Sequence, residues 1–388
     1  MQMEILYEKT EEHTQAAEKT KKKIVHINLT HGGGGVDVYT RAIINATNDM
    51  YENAIICAPE YPVRWLQDGV AHYILDVPRE ISVKQDILAA KQIRRILKKE
   101  KPDIVYCHSS MAGAVGRIAA LGLGCKVIYN PHSWAFNMDV SAKKKAVYVW
   151  IERLLALCTD RIVAISQSEK SAALQYKVCK ENKICLIYNG VDINACTQGI
   201  KTRGELGYGE DAFIVACCGR LSEQKDPVLF ADVDGVIAAK CPGVKFIWVG
   251  DGELREEFVA ALKRNGVFEK IWLPGTVDKP WPIMGVADVA VLLSKWEGFS
   301  LALIEYFAMG KPVVATDVGA AAEIVADGVN GTLITERSTE KIAEAILSYS
   351  HKENAKELYE ICMKTAQKFS IAKTVEATKQ LYSALLLK

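Results

Sequence analysis

A chain of 388 residues that is 49% hydrophobic carries enough apolar side chain to bury a core in each of two ordinary domains. Its 48 Lys and Arg against 47 Asp and Glu exclude a molecule built throughout to coat nucleic acid, so a charged partner would have to use a local patch. Eleven cysteines at irregular spacings, with no C-x-x-C pair and several inside apolar runs such as VACCGR, exclude a disulfide-stapled module and fit reduced, buried thiols in a cytoplasmic protein.

Residues 1–22 read as a polar leader without the apolar core of a signal peptide, and no apolar run approaches the roughly eighteen residues of a membrane span. From Lys23 onward, short β-branched runs alternate with longer amphipathic stretches, the pattern of βαβ units on a parallel sheet. KIVHIN, NAIICAP, DIVYCH, KVIYN, RIVAIS and KICLIYNG supply strands to the first half, and FIVACCG, KFIWVG, KIWLPG, VAVLLS and PVVATD to the second. Between them lie helical stretches such as VKQDILAAKQIRRILKKEK, where Ile87, Leu88, Ile93, Ile96 and Leu97 recur at helical spacing. The fold class is therefore α/β, with two facing Rossmann-like, doubly wound parallel-sheet domains over residues 23–195 and 213–370. The stretch NGVDINACTQGIKTRGELGYGED, rich in Gly, Asn and Asp, lies between them, and the linker falls at 196–212. The last helix, 371–388, follows no strand and is free to cross back to the first domain. Ligands of such sheets bind at the carboxyl ends of the strands, so two facing sheets make a deep cleft.

The chemistry-bearing residues fall just after expected strands. After KIVHIN come four glycines, Gly32 to Gly35, and then a helix whose free N–H groups suit phosphate or a polar sugar; Gly34 and Gly35 lie nearest the helix. Their spacing is not the G-x-G-x-x-G of dinucleotide binding, although Glu60 stands where that motif wants an acid. After FIVACCG, one loop carries Arg220 and Lys225, a pair suited to a diphosphate, and Asp226-Pro227 then starts the next helix. After VAVLLS, Glu297 sits in a loop, the N–H groups of Phe299, Ser300 and Leu301 open a helix, and Glu305 follows about one turn in. Carboxylates accept from sugar and ribose hydroxyls while exposed N–H groups take phosphate, and a nucleotide-diphosphate sugar fits all of these groups at once.

At this point the sequence resembles the retaining nucleotide-sugar glycosyltransferases of GT-B architecture, whose signature is Glu, seven residues, Glu. The resemblance runs from about Lys23 to the end and includes PDIVYCHSSMAGAVGRIAA, NPHSWAF, VAISQSEK, IYNGVD, GRLSEQKDP, VGDGELR, LPGTV, EGFSLALIE and AAAEIVADGVNGTLI in order. It implies that the first domain binds the acceptor and the second the donor. It further implies that Glu297 contacts hydroxyls of the transferred sugar, Glu305 the ribose, and Arg220 with Lys225 the diphosphate. The backbone near Val277 would hold the base, Gly34 and Gly35 would approach the donor from the first domain, and His132 would lie beside the donor sugar. HSSMAGAVGRIAA is similar to stretches in bacterial capsule and exopolysaccharide transferases, which points to a glycan or polyprenyl-linked acceptor.

With Arg220, Lys225 and a helix N-terminus to stabilise a departing diphosphate, the expected reaction is a front-face displacement without a cofactor or metal, and uridine is the commoner donor base. The D-x-D spacing of Asp232 and Asp234 falls inside a helical stretch and reads as a solvated helix face rather than a metal site. Two basic runs, 94–101 and 143–145, are ordinary wet surface or contacts to the inner face of the cell membrane. Two other readings stay open: an epimerase of nucleotide sugars on the same scaffold, and a non-catalytic partner of a transferase.

Overall fold

In the computed structural model of the chain, residues 21–31, 34–77, 83–138, 140–350 and 355–387 are described. Gly32, Gly33 and residues 1–20 of the expected leader lie outside them. The first half builds β1 (Lys23–Asn28), β2 (Glu52–Cys57), β3 (Ala71–Ile74), β4 (Ile104–His108), β5 (Lys126–Asn130), β6 (Arg161–Ala164) and β7 (Ile184–Leu186). The second builds β8 (Ile214–Cys218), β9 (Lys245–Val249), β10 (Ile271–Gly275), β11 (Val289–Leu292), β12 (Val313–Thr316) and β13 (Gly331–Ile334). All pairings between these strands are parallel. The central strands are buried and mostly apolar because helices cover both faces of each sheet, leaving no solvent side on which polar residues could alternate; the polar residues they do hold, such as His26 and His108, are buried.

The strand orders are β3-β2-β1-β4-β5-β6-β7 and β10-β9-β8-β11-β12-β13. Each order reverses direction at its own first strand, between β1 and β4 and between β8 and β11. The loops that leave these four strands diverge there and open a crevice. The glycine loop leaves β1, the Arg220–Lys225 loop leaves β8 and the Glu297 loop leaves β11, so topology alone brings three of the singled-out segments to switch points.

Two chain crossings join the halves. At the first, Val191 N–H donates to Phe369 O at 3.1 Å and Ile371 N–H to Val191 O at 2.8 Å, while Thr374 Oγ1 donates to Tyr188 O at 2.9 Å. A methyl on Gly190 would meet the Ser370 carbonyl carbon at 2.6 Å, so only glycine permits this approach. The second crossing is the helix Ile371–Leu386, which lays Leu381, Tyr382 and Leu385 against Tyr39, Ile43, Tyr51 and Tyr106 of the first half. Residues 189–196, rich in turn formers by sequence, bury Val191, Ile193 and Cys196 against the second half's core.

One expectation is corrected here. Asp234 is not on a solvated face: it is fully buried, and neither carboxylate oxygen has a hydrogen-bond partner among the described residues. Within the helix Pro227–Lys240, positions 230, 233, 234 and 237 form one stripe at 3.6-residue spacing, so Asp234 turns inward with Phe230, Val233 and Ile237. Burial holds its carboxyl well above the usual range, in the neutral form that an apolar core tolerates. Asp232, two residues earlier and so on the opposite side of the helix, pairs with Arg264 at 2.8 Å and accepts from Asn265 at 2.7 Å.

Candidate active site in the interdomain cleft

Asp226 accepts from Leu229 N–H and caps the helix Pro227–Lys240, with proline in its first turn where a missing N–H costs nothing. This fixes the end of the β8 loop and directs Lys225 across to the β11 loop. Lys225 Nζ lies 2.5 Å from Glu297 Oε1, and Ser294 Oγ donates to the same oxygen at 2.6 Å. Gln224 Nε2 donates to Trp296 O at 2.9 Å and reaches Glu297 Oε2 at 3.4 Å. Lys225 also attracts Glu305. Burial pushes the Glu305 carboxyl up to about 7, against the pull of that ammonium. One lysine therefore acts on both acids, with side-chain exposures of 16% for Lys225 and 10% for Glu297.

Ser300 is the N-cap of the helix Leu301–Ala308, and its side chain makes no capping hydrogen bond. The first N–H groups of an α-helix have no intrahelical acceptor, so the backbone at Phe299, Ser300 and Leu301 presents donors and partial positive charge to the cleft. Phe299 is held edge-on by Phe369 and packs against Tyr188, each ring 5.5–5.6 Å away. Arg220 is exposed on the opposite lip of the β8 loop, its stem packed against Gly252. Val277 follows β10 and packs on the second half's core.

The first half closes over this group. A methyl on Gly35 would touch Leu301 Cδ1 at 3.4 Å, and one on Gly298 would lie 3.0 Å from His132 O. Gly34 is the N-cap of the helix Gly35–Thr47, with no side-chain capping bond. The structure therefore brings Glu297, Lys225, Glu305, Phe299, Ser300, Leu301, Gly35 and His132 to one cleft. Arg220 and Val277 stand at its second-domain margin. Glu60 pairs with His31, at the start of the glycine loop, at 3.1 Å.

Around His132 stand several groups that were not singled out from sequence. His132 adopts φ +53° and is linked through Nε2 to His108 Nδ1 at 3.2 Å; His108 Nε2 is linked in turn to His26 Nδ1 at 3.1 Å. Burial pushes His26 and His132 down to about 3, and burial with repulsion from both neighbours holds His108 well below the usual range. The three are neutral imidazoles in series across β1, β4 and the turn after β5. Glu169, on the helix Gln167–Gln175, accepts from Ile165 N–H, and its other oxygen lies 3.6 Å from where a methyl on Gly298 would be; burial pushes it up to about 8. Glu323 reaches across from the second half to accept from Gln167 and Ser168 N–H at 2.8 and 2.7 Å. A strand-end histidine and an S-x-x-E pair were visible signals, but a spacing rule for single segments cannot say that three histidines meet.

Two parallel-sheet domains, each with its own switch point, have the GT-B architecture of glycosyltransferases. The chain belongs to that class by descent as well: residues 33–195 match Glycosyltransferase Family 4 and residues 212–351 match Glycosyl transferases group 1. It is 30% identical over 376 residues to the UDP-Gal:alpha-D-GlcNAc-diphosphoundecaprenol alpha-1,3-galactosyltransferase of Escherichia coli, covering 94% of this chain and 97% of that one. Over 315 residues it is 26% identical to the putative glycosyltransferase EpsD of Bacillus subtilis, covering 78% and 82%. Anabaena HepE, crystallised with UDP, shares the fold with a TM-score of 0.78 at 22% identity, covering 93% of this chain and all of that one.

Proposed function

We propose that this glycosyltransferase moves a hexose or N-acetylhexosamine from UDP to a hydroxyl of a polyprenyl-diphosphate-linked saccharide, with retention at the anomeric carbon, in the synthesis of a bacterial surface polysaccharide. Support comes from the lipid-linked acceptor named for the Escherichia coli relative and from UDP in the HepE complex. The observation that carries the reading is Lys225, paired with Glu297 and attracting Glu305, near the open end of the helix Leu301–Ala308 that follows Glu297. That arrangement gives a diphosphate one cation and a row of N–H donors, with Arg220 entering from the lip. It leaves Glu297 for sugar hydroxyls and Glu305 for the ribose, while Gly34 and Gly35 close from the first domain and the backbone beside Val277 faces the base.

In this mechanism the bond from the anomeric carbon to the diphosphate oxygen breaks as the acceptor oxygen bonds to that carbon on the same face. The acceptor proton passes to the departing phosphate oxygen. Lys225, Arg220 and the helix end stabilise the negative charge as it develops, the role a divalent metal fills in other transferases. Glu297 is held by Lys225 and Ser294, and its part is to bind rather than to attack. His132 lines the sugar side. The enzyme works on the inner face of the cell membrane, where its acceptor is anchored.

The test is incubation of purified protein with a panel of labelled UDP-sugars and a short-chain polyprenyl-diphosphate saccharide, followed by NMR of the product. An α-linked product from an α-linked donor is expected, with undiminished rate in chelator. An altered free nucleotide sugar, an inverted linkage or a glycosyl adduct on Glu297 would overturn the reading.

A further inference from the structure

The helix Ala142–Leu155 is fixed in rotation by its inner face. Glu152 is buried, accepts from Arg117 Nη2 at 2.8 Å and from Tyr129 Oη at 2.9 Å, and Val149 and Ala156 are buried on the same side. Its opposite face therefore points outward by construction. There, Val147, Trp150, Ile151 and Leu154 are 56%, 62%, 42% and 54% exposed, and Leu157, just past the helix end, is 80% exposed. Positions 147, 150, 151 and 154 repeat at helical spacing and make one stripe, so these are not scattered surface residues. Lys144 flanks the stripe on one side and Arg153 on the other, its Nε and Nη2 donating to Tyr176 O at 3.0 and 2.7 Å, and Lys143 stands at the head of the stripe, all three exposed. Beyond Leu157 lies a shallow depression shared with Leu121, 49% exposed, and rimmed by Arg161 and Lys183.

An apolar stripe edged by cations on both sides matches the cross-section of a bilayer interface with anionic headgroups, where acyl chains take the stripe and lipid phosphates take the cations. A protein partner would need no such symmetric edging. The helix starts soon after the His132 turn, at the carboxyl end of β5, so its lysine-rich head is on the cleft side and its apolar length runs away from the cleft. We propose that this face docks on an anionic membrane, with Trp150 and Leu154 inserted and Lys143 and Lys144 on lipid phosphates. In that pose the first domain's cleft edge lies at headgroup level. That it meets a lipid-linked acceptor there rests on the function proposed above; the docking itself does not.

The experiment is co-sedimentation of the full chain with vesicles of phosphatidylglycerol and phosphatidylcholine in equal parts, and with phosphatidylcholine alone. It uses wild type, Trp150→Glu with Leu154→Glu, and Lys143→Glu with Lys144→Glu. Wild type is expected on the mixed vesicles, tenfold or more weaker on the neutral ones and weakened by salt. Each double variant is expected to lose tenfold or more while keeping its Tm and its affinity for UDP, because none of the four residues touches the cleft. The proposal is overturned if wild type does not sediment with anionic vesicles, or if neither variant changes its binding. It is equally overturned if light scattering shows a dimer that the Trp150 and Leu154 changes dissolve while vesicle binding is absent. UDP affinity measured on the same samples separates failure of docking from failure of the donor site.

Discussion

Glu305 shows how the site sets function against stability. Its carboxyl is raised from 4.5 to about 7 by burial, so between those pH values the folded protein holds a proton that the unfolded chain releases. Stability therefore falls as pH rises through that window and is level above it, at about 1.4 kcal/mol for each pH unit and on the order of 3 kcal/mol in all. Glu305→Gln removes this dependence: at pH 8 its Tm should exceed that of wild type by several degrees, while its affinity for UDP drops. Parallel pH curves of Tm for the two proteins would contradict this account. The histidine series gives a second expectation. Asn53 Nδ2 donates to Ile44 O and Thr47 Oγ1; its Oδ1 and His26 Nε2 are both buried and neither completes a hydrogen bond among the described residues, but Asn53 favours a proton on His26, and Nε2 is the ring nitrogen left for it. A proton on His26 Nε2 makes Nδ1 an acceptor, which forces the same tautomer on His108 and then on His132, leaving His132 Nδ1 as a lone pair. In spectra of ¹⁵N-labelled histidine, three of the seven imidazoles should show the Nε2–H form and none of those three should titrate between pH 5 and 8. Titration of any of them near its ordinary value would contradict the series.

At the level of elements, the loop carrying Glu297 is shaped from outside by the turn after β12. Gly319 has φ +61°, and a methyl there would meet Glu297 O at 2.2 Å, while Ala320 N–H donates to Gly298 O at 3.0 Å. Gly319→Ala should displace the loop, lowering kcat at least tenfold in a protein that circular dichroism shows folded; unchanged turnover would remove the loop from the account. The same scale explains what the sequence revealed. Of the eleven strands legible in the sequence, nine are buried almost throughout, and a strand covered on both faces is a bare apolar run. The edge strands β7 and β10 were legible because they keep that apolar character while only partly covered. β3 was not, because it is an edge strand with Ala71, His72 and Ile74 exposed, and β13 was not, because it is four residues opening on glycine. Asp234 misled because polarity was taken for exposure, whereas its place in the 3.6-residue stripe said otherwise. Glu297, Lys225 and Glu305 were legible because each follows a strand at a switch point. Glu169, Glu323 and the linked histidines were not, because their meaning lies in contacts between segments far apart in the chain.

Across the whole molecule, the cleft depends on how the two halves are tied. Glu323 of the second half occupies the N-terminus of the first half's Gln167–Gln175 helix, where a carboxylate meets both free N–H groups and the helix dipole. Glu323→Ala should open the cleft, raising KM for donor several-fold with little change in Tm; a KM equal to wild type would show that the contact does not hold the halves together. The helix Ile371–Leu386 stabilises the half it does not follow in sequence, so a chain ending at residue 370 should lose protease resistance in the first half before the second. Loss in the reverse order would contradict the packing. The central claim, that a donor diphosphate is held by Lys225 and Arg220 at an open helix end, is tested most directly by calorimetric titration of UDP into wild type and into the Arg220→Gln, Lys225→Gln double variant. The account predicts at least a hundredfold weaker binding, about 2.7 kcal/mol, in a variant that remains folded; UDP affinity equal to that of wild type would contradict it.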